Sequence, residues 1–334
     1  MNSGDKRGDF IHTRDELIAL QALPLSIKIE KTKQRIREWY EYYNGDVYVS
    51  FSGGKDSRVL VDIVRSQYND VELLYIDTGL EFPEIKKYVR QFDNLTVIRP
   101  RMSFIEVLKR YGYPMISKEV SDKVYCARNK PDGKVAQRFV KNNEHDAKHN
   151  GFSVVKYEPL LHMDFNISRR CCDVMKKQPA HNFERTKGKK PIIATMAVES
   201  DVRRSAWLKE GCNAFNNKRP ICKPMSFWTE QDVLQYAYEK NIKLAEPYGE
   251  IIYKNGKYFT TGYERTGCIY CGFGAHINDC RFERLKSTHP KLYDYCMNGG
   301  EFANGIWQPS NNGLGLKYVI DELNKVYGDN FIKY

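Results

Sequence analysis

Between residues 45 and 100 the apolar positions fall into short solid runs separated by stretches of helical period. Residues 46–51 (DVYVSF) read as a short buried strand, and 71–76 (VELLYI) and 95–98 (LTVI) as a second and a third strand. Val59, Leu60, Ile63 and Val64 open a helix after the first, and a second helix is predicted at 84–92. Strand–helix alternation at this pitch predicts an α/β fold, a parallel twisted sheet with right-handed crossovers and helices on both faces. Residues 191–197 (PIIATMA) read as a later strand of the same sheet. Upstream, Leu17, Ile18, Leu20, Leu23, Ile27, Ile29, Ile36, Trp39, Tyr40 and Tyr43 recur at helical spacing over 14–44, with a break near Pro24 and Gly45 as the C-cap. Downstream, 228–238 (WTEQDVLQYAY) is a helix capped by Thr229 with Asp232 three residues on, and 251–261 (IIYKNGKYFTT) is a hairpin turning at Asn255-Gly256. Residues 118–160 are the least regular part, read as an inserted helix with mobile loops; no internal repeat is visible. The expected organisation is an N-terminal helical segment (1–44), a nucleotide-binding domain (45–240) with the insertion at about 118–160, and a small cysteine-containing C-terminal part (241–334).

Composition narrows the classes. Of 334 residues 41% are hydrophobic and 28% charged, which is globular. No apolar run reaches the ~18 residues of a membrane helix, and the first ten residues (MNSGDKRGDF) lack a signal core, so a cytoplasmic protein is expected. Residues 121–223 hold 22 Lys and Arg against 11 Asp and Glu, the whole of the net +11. Such a tract fits a polyanionic partner, DNA or tRNA; it fits a solvated basic face or a single phosphorylated ligand as well. Nine cysteines, seven of them between 171 and 280, argue for metal or cluster ligation rather than disulfides.

The sharpest chemical signal lies between the first strand and its helix, in Ser50-Phe-Ser52-Gly53-Gly54-Lys55-Asp56-Ser57. Two glycines let backbone N–H groups turn inward, the helix N-terminus adds partial positive charge, Lys55 adds a full one and two serines add hydroxyls. This is an anion cradle suited to pyrophosphate, and it is not the GxxxxGK[ST] P-loop. Asp77-Thr78-Gly79 ends the second strand, at the carboxyl edge where α/β sheets bind nucleotides.

These residues resemble a known family. SGGKDS is similar to the pyrophosphate loop of the N-type ATP pyrophosphatases, of the adenine nucleotide alpha hydrolase-like superfamily. Residues 77–84 (DTGLEFPE) and 224–233 (PMSFWTEQDV) resemble the D-T-G-x-x-F-P-E and P-x-x-x-W-T-x-x-D-V segments of phosphoadenosine phosphosulfate (PAPS) reductases. The resemblance runs from about 45 to 285. It implies that Asp77, Thr78 and Gly79 hold adenosine. It also implies that Glu199 and Arg203, in an E-S-x-x-R loop, face the phosphates, where a guanidinium binds bidentately.

Cys171-Cys172 and Cys268-x-x-Cys271 are two close thiol pairs, suited to a [4Fe–4S] cluster or to tetrahedral Zn. Assimilatory adenylylsulfate reductases show a similar arrangement around a [4Fe–4S] cluster, with a basic stretch after Cys-Cys like Lys176, Lys177 and Pro179 here. Cys212, Cys222 and Cys280 are spare, and Cys212 could replace Cys171 or Cys172. The reductases' Glu-Cys-Gly-[Leu/Ile]-His segment, which carries their nucleophilic thiolate, is not found, and the surroundings of Cys296 do not match it. A complete SGGKDS loop is typical of relatives that cleave ATP between the α and β phosphates. The resemblance therefore implies an ATP pyrophosphatase using Lys55, Asp56, Arg203 and Mg²⁺ to adenylate an acceptor. It would look like the ATPase of DNA phosphorothioation or a tRNA-thiolating enzyme, with a sulfur donor such as a cysteine desulfurase. The competing readings are a PAPS or adenylylsulfate reductase, and a non-catalytic nucleotide- or nucleic-acid-binding module with a structural metal.

Overall fold

The computed structural model describes residues 11–140, 153–277 and 280–334. Within the irregular stretch at 118–160, residues 141–152 lie outside the described residues, as do the first ten of the chain. The strands, in chain order, are β1 (Val47–Ser50), β2 (Glu72–Ile76), β3 (Leu95–Ile98), β4 (Met115–Ile116), β5 (Lys190–Ile192), β6 (Asn213–Ala214), β7 (Ile221–Cys222), β8 (Ile251–Lys254), β9 (Lys257–Thr260), β10 (Gly272–Phe273), β11 (Gly300–Ala303) and β12 (Ile306–Pro309). The chain forms two compact units, each assembled from three stretches. The first comprises residues up to 77, 81–98 and 180–266; the second comprises 78–80, 99–179 and 267–334.

The first unit is built on a six-stranded sheet of order β3-β2-β1-β5-β7-β6, parallel except for the antiparallel β6. The chain steps outward from β1 to β2 and β3, then returns to β5 on the other side of β1. The winding direction thus reverses between β1 and β5, and the loops leaving their carboxyl ends diverge there. In open α/β sheets that crevice is where ligands bind. Helix α3 (Lys55–Arg65) follows β1 directly and buries Val59, Leu60, Val61, Ile63 and Val64, which fixes its first turn against the sheet. Helix α4 (Pro83–Val89) begins on a proline, whose missing N–H costs nothing at that position.

The N-terminal segment is two helices, α1 (Arg14–Gln21) and α2 (Leu25–Tyr42), separated at Pro24 as the sequence predicts. Helix α2 buries Leu25, Lys28, Thr32, Ile36 and Trp39, one stripe at helical spacing. Lys28 is buried because its ammonium donates to the Asp232 carboxylate at 2.7 Å and to the Gln21 carbonyl at 2.7 Å. Asp232 also closes the capping box with Thr229 at the head of the helix Glu230–Glu239. One carboxylate therefore anchors both helices. Hairpin β8–β9 turns at Asn255 and Gly256, both at positive φ, as its Asn-Gly pair predicts.

The strand predicted at 191–197 is shorter than the sequence implies. It stops at Ile192; the Glu199 carboxylate then accepts from the Met196 N–H, and a 3-10 turn, Ala197–Glu199, takes over. The helix predicted at 84–92 ends at Val89 for a similar reason, in tight turns from Gln91 and Phe92.

The second unit holds the parallel pair β4–β10, the hairpin β11–β12, and the helices Phe104–Tyr111, Lys118–Asn129, Arg281–Thr288, Pro290–Met297 and Leu316–Tyr327. Its core is tied by buried polar bonds, Tyr113 Oη to the Leu314 carbonyl and Ser121 Oγ to the Met115 carbonyl. Among the described residues no helix is long and apolar enough to cross a membrane.

Candidate functional site

The loop after β1 folds into the cradle its composition predicts. Gly53 takes φ +75° and lies so close to α4 that a Cβ would sit 2.7 Å from both Ile85 Cγ2 and Val89 Cγ1. Ser57 Oγ donates to the Gly54 carbonyl at 2.9 Å and pairs with Ser52 Oγ at 3.0 Å, and the Ser52 and Gly54 N–H groups both point at these hydroxyls. Gly54 is the N-cap of α3 and has no side chain to occupy the helix's first N–H groups. The Lys55 N–H instead donates to Tyr248 Oη at 3.1 Å, a neutral oxygen where an anion would be stabilised. Ser50 is the last residue of β1, beneath the loop.

Lys55 is only 2% exposed. Its ammonium pairs with Glu230 at 2.9 Å, donates to the Glu264 carbonyl at 2.7 Å and lies 3.9 Å from Asp56. Asp56 Oδ1 is buried and has no hydrogen-bond partner. Burial pushes the Asp56 carboxyl up and Glu230 adds to this, while Lys55, Arg265 and Arg203 pull it down.

The loop after β5 supplies the other wall. Glu199 accepts from Arg203, one turn on in the helix Asp201–Glu210, and pairs with Arg265 at 3.3 Å. Burial presses the Arg203 guanidinium down, and the like charge of Arg265 adds to it. Two guanidiniums that repel each other across one carboxylate form a site that a phosphate group would relieve. All these residues belong to the first unit. The structure thus brings Ser52, Gly53, Gly54, Lys55, Asp56, Ser57, Glu199 and Arg203 to adjacent strand ends. It adds Glu230, Tyr248, Glu264 and Arg265, which the sequence reading did not single out. Two of them stood beside noted motifs: Glu230 follows the cap of a predicted helix, and Arg265 lies three residues before Cys268.

Asp77 ends β2, is buried, and pairs with Lys86 at 2.9 Å. Thr78 Oγ1 accepts from the Leu80 N–H, forming a turn with Gly79. Asp77 belongs to the first unit, Thr78 and Gly79 to the second.

Cys171, Cys172, Cys268 and Cys271 all belong to the second unit. Cys171 and Cys172 share a proton: their mutual hydrogen bond raises Cys171 and lowers Cys172, which Lys118 and Lys176 also favour as thiolate. The charges of Cys268 and Cys271 reach Cys171, and burial pushes Cys271 up to about 11. The donor set is by kind a thiophilic one. Among the described residues, however, no three metal-ligating side chains close on a common point. Cys212 and Cys222 belong to the first unit, buried beside the β6–β7 pair near Arg35 and Trp207. Cys280 is exposed.

Comparison with known proteins agrees with these motifs. Residues 46–130 match the phosphoadenosine phosphosulfate reductase domain model. An uncharacterized protein of Methanocaldococcus jannaschii is 26% identical over 301 residues, covering 84% of this chain and 57% of that protein. A second one from the same organism is 25% identical over 267 residues, 78% of this chain and 42% of its own length. The chain thus spans about half the length of these two relatives. An adenosine 5'-phosphosulfate reductase of Staphylococcus epidermidis is 25% identical over 247 residues, 72% of this chain and 76% of that enzyme. A phosphoadenylyl-sulfate reductase structure from Candida auris, in complex with phosphate, aligns at TM-score 0.38 and 15% identity over 78% of this chain and 100% of its own. The ordered motifs and the match over residues 46–130 make this chain similar to the phosphoadenosine phosphosulfate reductase family.

Proposed function

We propose that this chain is an ATP pyrophosphatase of that family, one that adenylates an acceptor for sulfur transfer. The acceptor's nucleophilic atom attacks the α-phosphorus of ATP. The bond to the α–β bridging oxygen breaks, and pyrophosphate leaves with the electron pair while AMP stays on the acceptor. The acceptor is a nucleic acid, DNA or tRNA, and a sulfur nucleophile, delivered by a donor protein such as a cysteine desulfurase, then displaces AMP.

The observation that carries this reading is the undegraded cradle at the sheet's switch point. The N–H groups of Gly54 and Lys55, the Ser52 and Ser57 hydroxyls and the Lys55 ammonium all come from one six-residue loop and helix start. The Arg203–Arg265 pair stands at the neighbouring strand end. Preorganised donors around a departing pyrophosphate are the main resource for such a reaction. The orphaned Asp56 Oδ1 fits Mg²⁺, which when bound supplies charge neutralisation of the leaving group. The four cysteines of the second unit are where a [4Fe–4S] cluster or zinc would be held, and no step is assigned to it.

A sulfonucleotide reductase is the second reading, favoured by the Staphylococcus epidermidis relative. Cys296 does not support it as a nucleophile. It is fully buried, and burial pushes its thiol far up, whereas attack on sulfur needs an accessible thiolate. The discriminating experiment is anaerobic incubation with ATP, PAPS and adenylylsulfate, with and without tRNA or DNA. Pyrophosphate from ATP, lost in Lys55→Ala, is the expected result; sulfite from either sulfated nucleotide without pyrophosphate from ATP would replace this reading with the reductase.

A further inference from the structure

Hairpin β8–β9 carries the densest group of exposed apolar side chains in the first unit. Ile252 is 40% exposed, Tyr253 57% and Phe259 44%. Cross-strand register sets Ile252 opposite Phe259 and Lys254 opposite Lys257, so one face of the hairpin presents an apolar pair followed by two ammonium groups. All four are exposed. Tyr253 stands opposite Tyr258 on the other face, ring centroids 4.7 Å apart, and Tyr258 meets Tyr238 at 5.3 Å. Residues 251–263 contain no acidic side chain.

The hairpin is fixed. The Gln231 side-chain amide donates to the Tyr258 carbonyl at 3.0 Å and accepts from its N–H at 2.8 Å, as a paired strand would. At its base the Glu250 N–H donates to Thr261 Oγ1 at 2.9 Å. From β9 the chain runs through three residues into Glu264, Arg265 and Thr266, which bond Lys55, Glu199 and Tyr248 respectively. A rigid aromatic and basic surface, bounded by Glu250 and Glu264 and reached at Tyr258 by the charge of Glu239, therefore leads into the phosphate cradle.

We propose that the Ile252–Phe259 face of this hairpin is the docking platform for a single-stranded nucleic acid, whose unpaired bases stack on Phe259 beside Ile252 while its phosphates lie on Lys254 and Lys257. Base–aromatic stacking tolerates any sequence, and the lysines supply the salt-dependent part of the affinity. A duplex hides its base faces and cannot use the ring. The inference rests on the adenylation reading, to which it adds where the acceptor strand lies.

The test uses the full chain, anaerobically purified, and fluorescein-labelled 20-mers of oligo-dT and oligo-rU in anisotropy titrations, with an unlabelled duplex as competitor. ATP affinity is measured in parallel. Ile252→Ala/Phe259→Ala is expected to weaken oligonucleotide binding by about 10- to 100-fold. Lys254→Glu/Lys257→Glu is expected to weaken it and to flatten its salt dependence. Both double variants should keep ATP affinity within about twofold, which shows that they are folded. Wild-type protein that ignores the single strands, a duplex that competes as well as they do, or hairpin variants that bind as wild type does would overturn the platform. Absent ATP binding by the wild type would instead sink the adenylation reading, leaving the oligonucleotide titrations to decide the platform alone.

Discussion

Asp56 is a carboxylate kept where it is poorly solvated, beside Lys55, whose ammonium also pairs with Glu230. Burial raises its pKa above the ordinary 3.8, so the folded protein holds that proton more tightly than the unfolded chain does. The handicap is absent below the unfolded pKa and grows as pH rises through the folded one. Asp56→Asn should therefore raise the melting temperature of nucleotide-free protein near pH 7 by about 1–3 °C. The gain should shrink as pH falls towards the carboxylate range, while pyrophosphate release is lost. Thermal scans from pH 4 to 8 check this; a destabilised Asn variant at neutral pH would refute it. Arg265 makes a second case. If it and Arg203 share a phosphate in place of Glu199, Arg265→Ala should lower kcat for pyrophosphate release by about 10²-fold, and Arg265→Lys should not restore it. Lys55 and Asp56 were legible because they stand in one six-residue loop. Glu230, Tyr248 and Arg265 were not, since their partners lie far away in sequence and only the fold joins them.

At the scale of elements, β1 and β2 follow the apolar runs almost residue for residue, because strands buried on both faces leave no other pattern, whereas β3 keeps its apolar run at the sheet edge with Val97 exposed. The apolar run at 191–197 misleads for the opposite reason: its second half is buried as a loop and turn, where composition looks the same as a strand. The two-residue strands β4, β6, β7 and β10 have no period to read. The loop between β1 and α3 depends on one contact that sequence could foreshadow only through its glycine. Gly53→Ala meets both a left-handed φ and two α4 side chains at 2.7 Å. The expected cost is about 1–3 kcal/mol of stability, together with a loss of nucleotide affinity from a displaced α4. Denaturant titration with and without ATP measures the two effects. A variant as stable as wild type and equally tight for ATP would mean that the loop is not held by this packing.

For the whole molecule, the basic tract is less free than its composition implies. Lys123 pairs with Glu119, Arg169 with Asp122, Lys177 with Asp173, Arg219 with Glu184 and Lys223 with Glu210, so five of its 22 cations are already held by carboxylates, although the net excess of the tract persists. The cysteines divide with equal consequence. Cys212 and Cys222 are buried beside a sheet edge in the first unit, where burial raises both thiols and holds them protonated. Cys171, Cys172, Cys268 and Cys271 belong to the second, where the hydrogen bond between Cys171 and Cys172 pushes Cys171 up and pulls Cys172 down, and the charges of Cys172, Cys271 and Cys268 push Cys171 up further. Thiols that raise one another's pKa lose that penalty when a cation takes their protons' place, so binding there would add to folding stability. Anaerobically purified protein should accordingly carry close to one cluster, read as iron and acid-labile sulfide, or one zinc per chain. Cys268→Ser/Cys271→Ser should empty it and lower the melting temperature, whereas Cys212→Ser should leave the metal content unchanged. Metal content indifferent to the first substitution, or abolished by the second, would move the site away from these four residues.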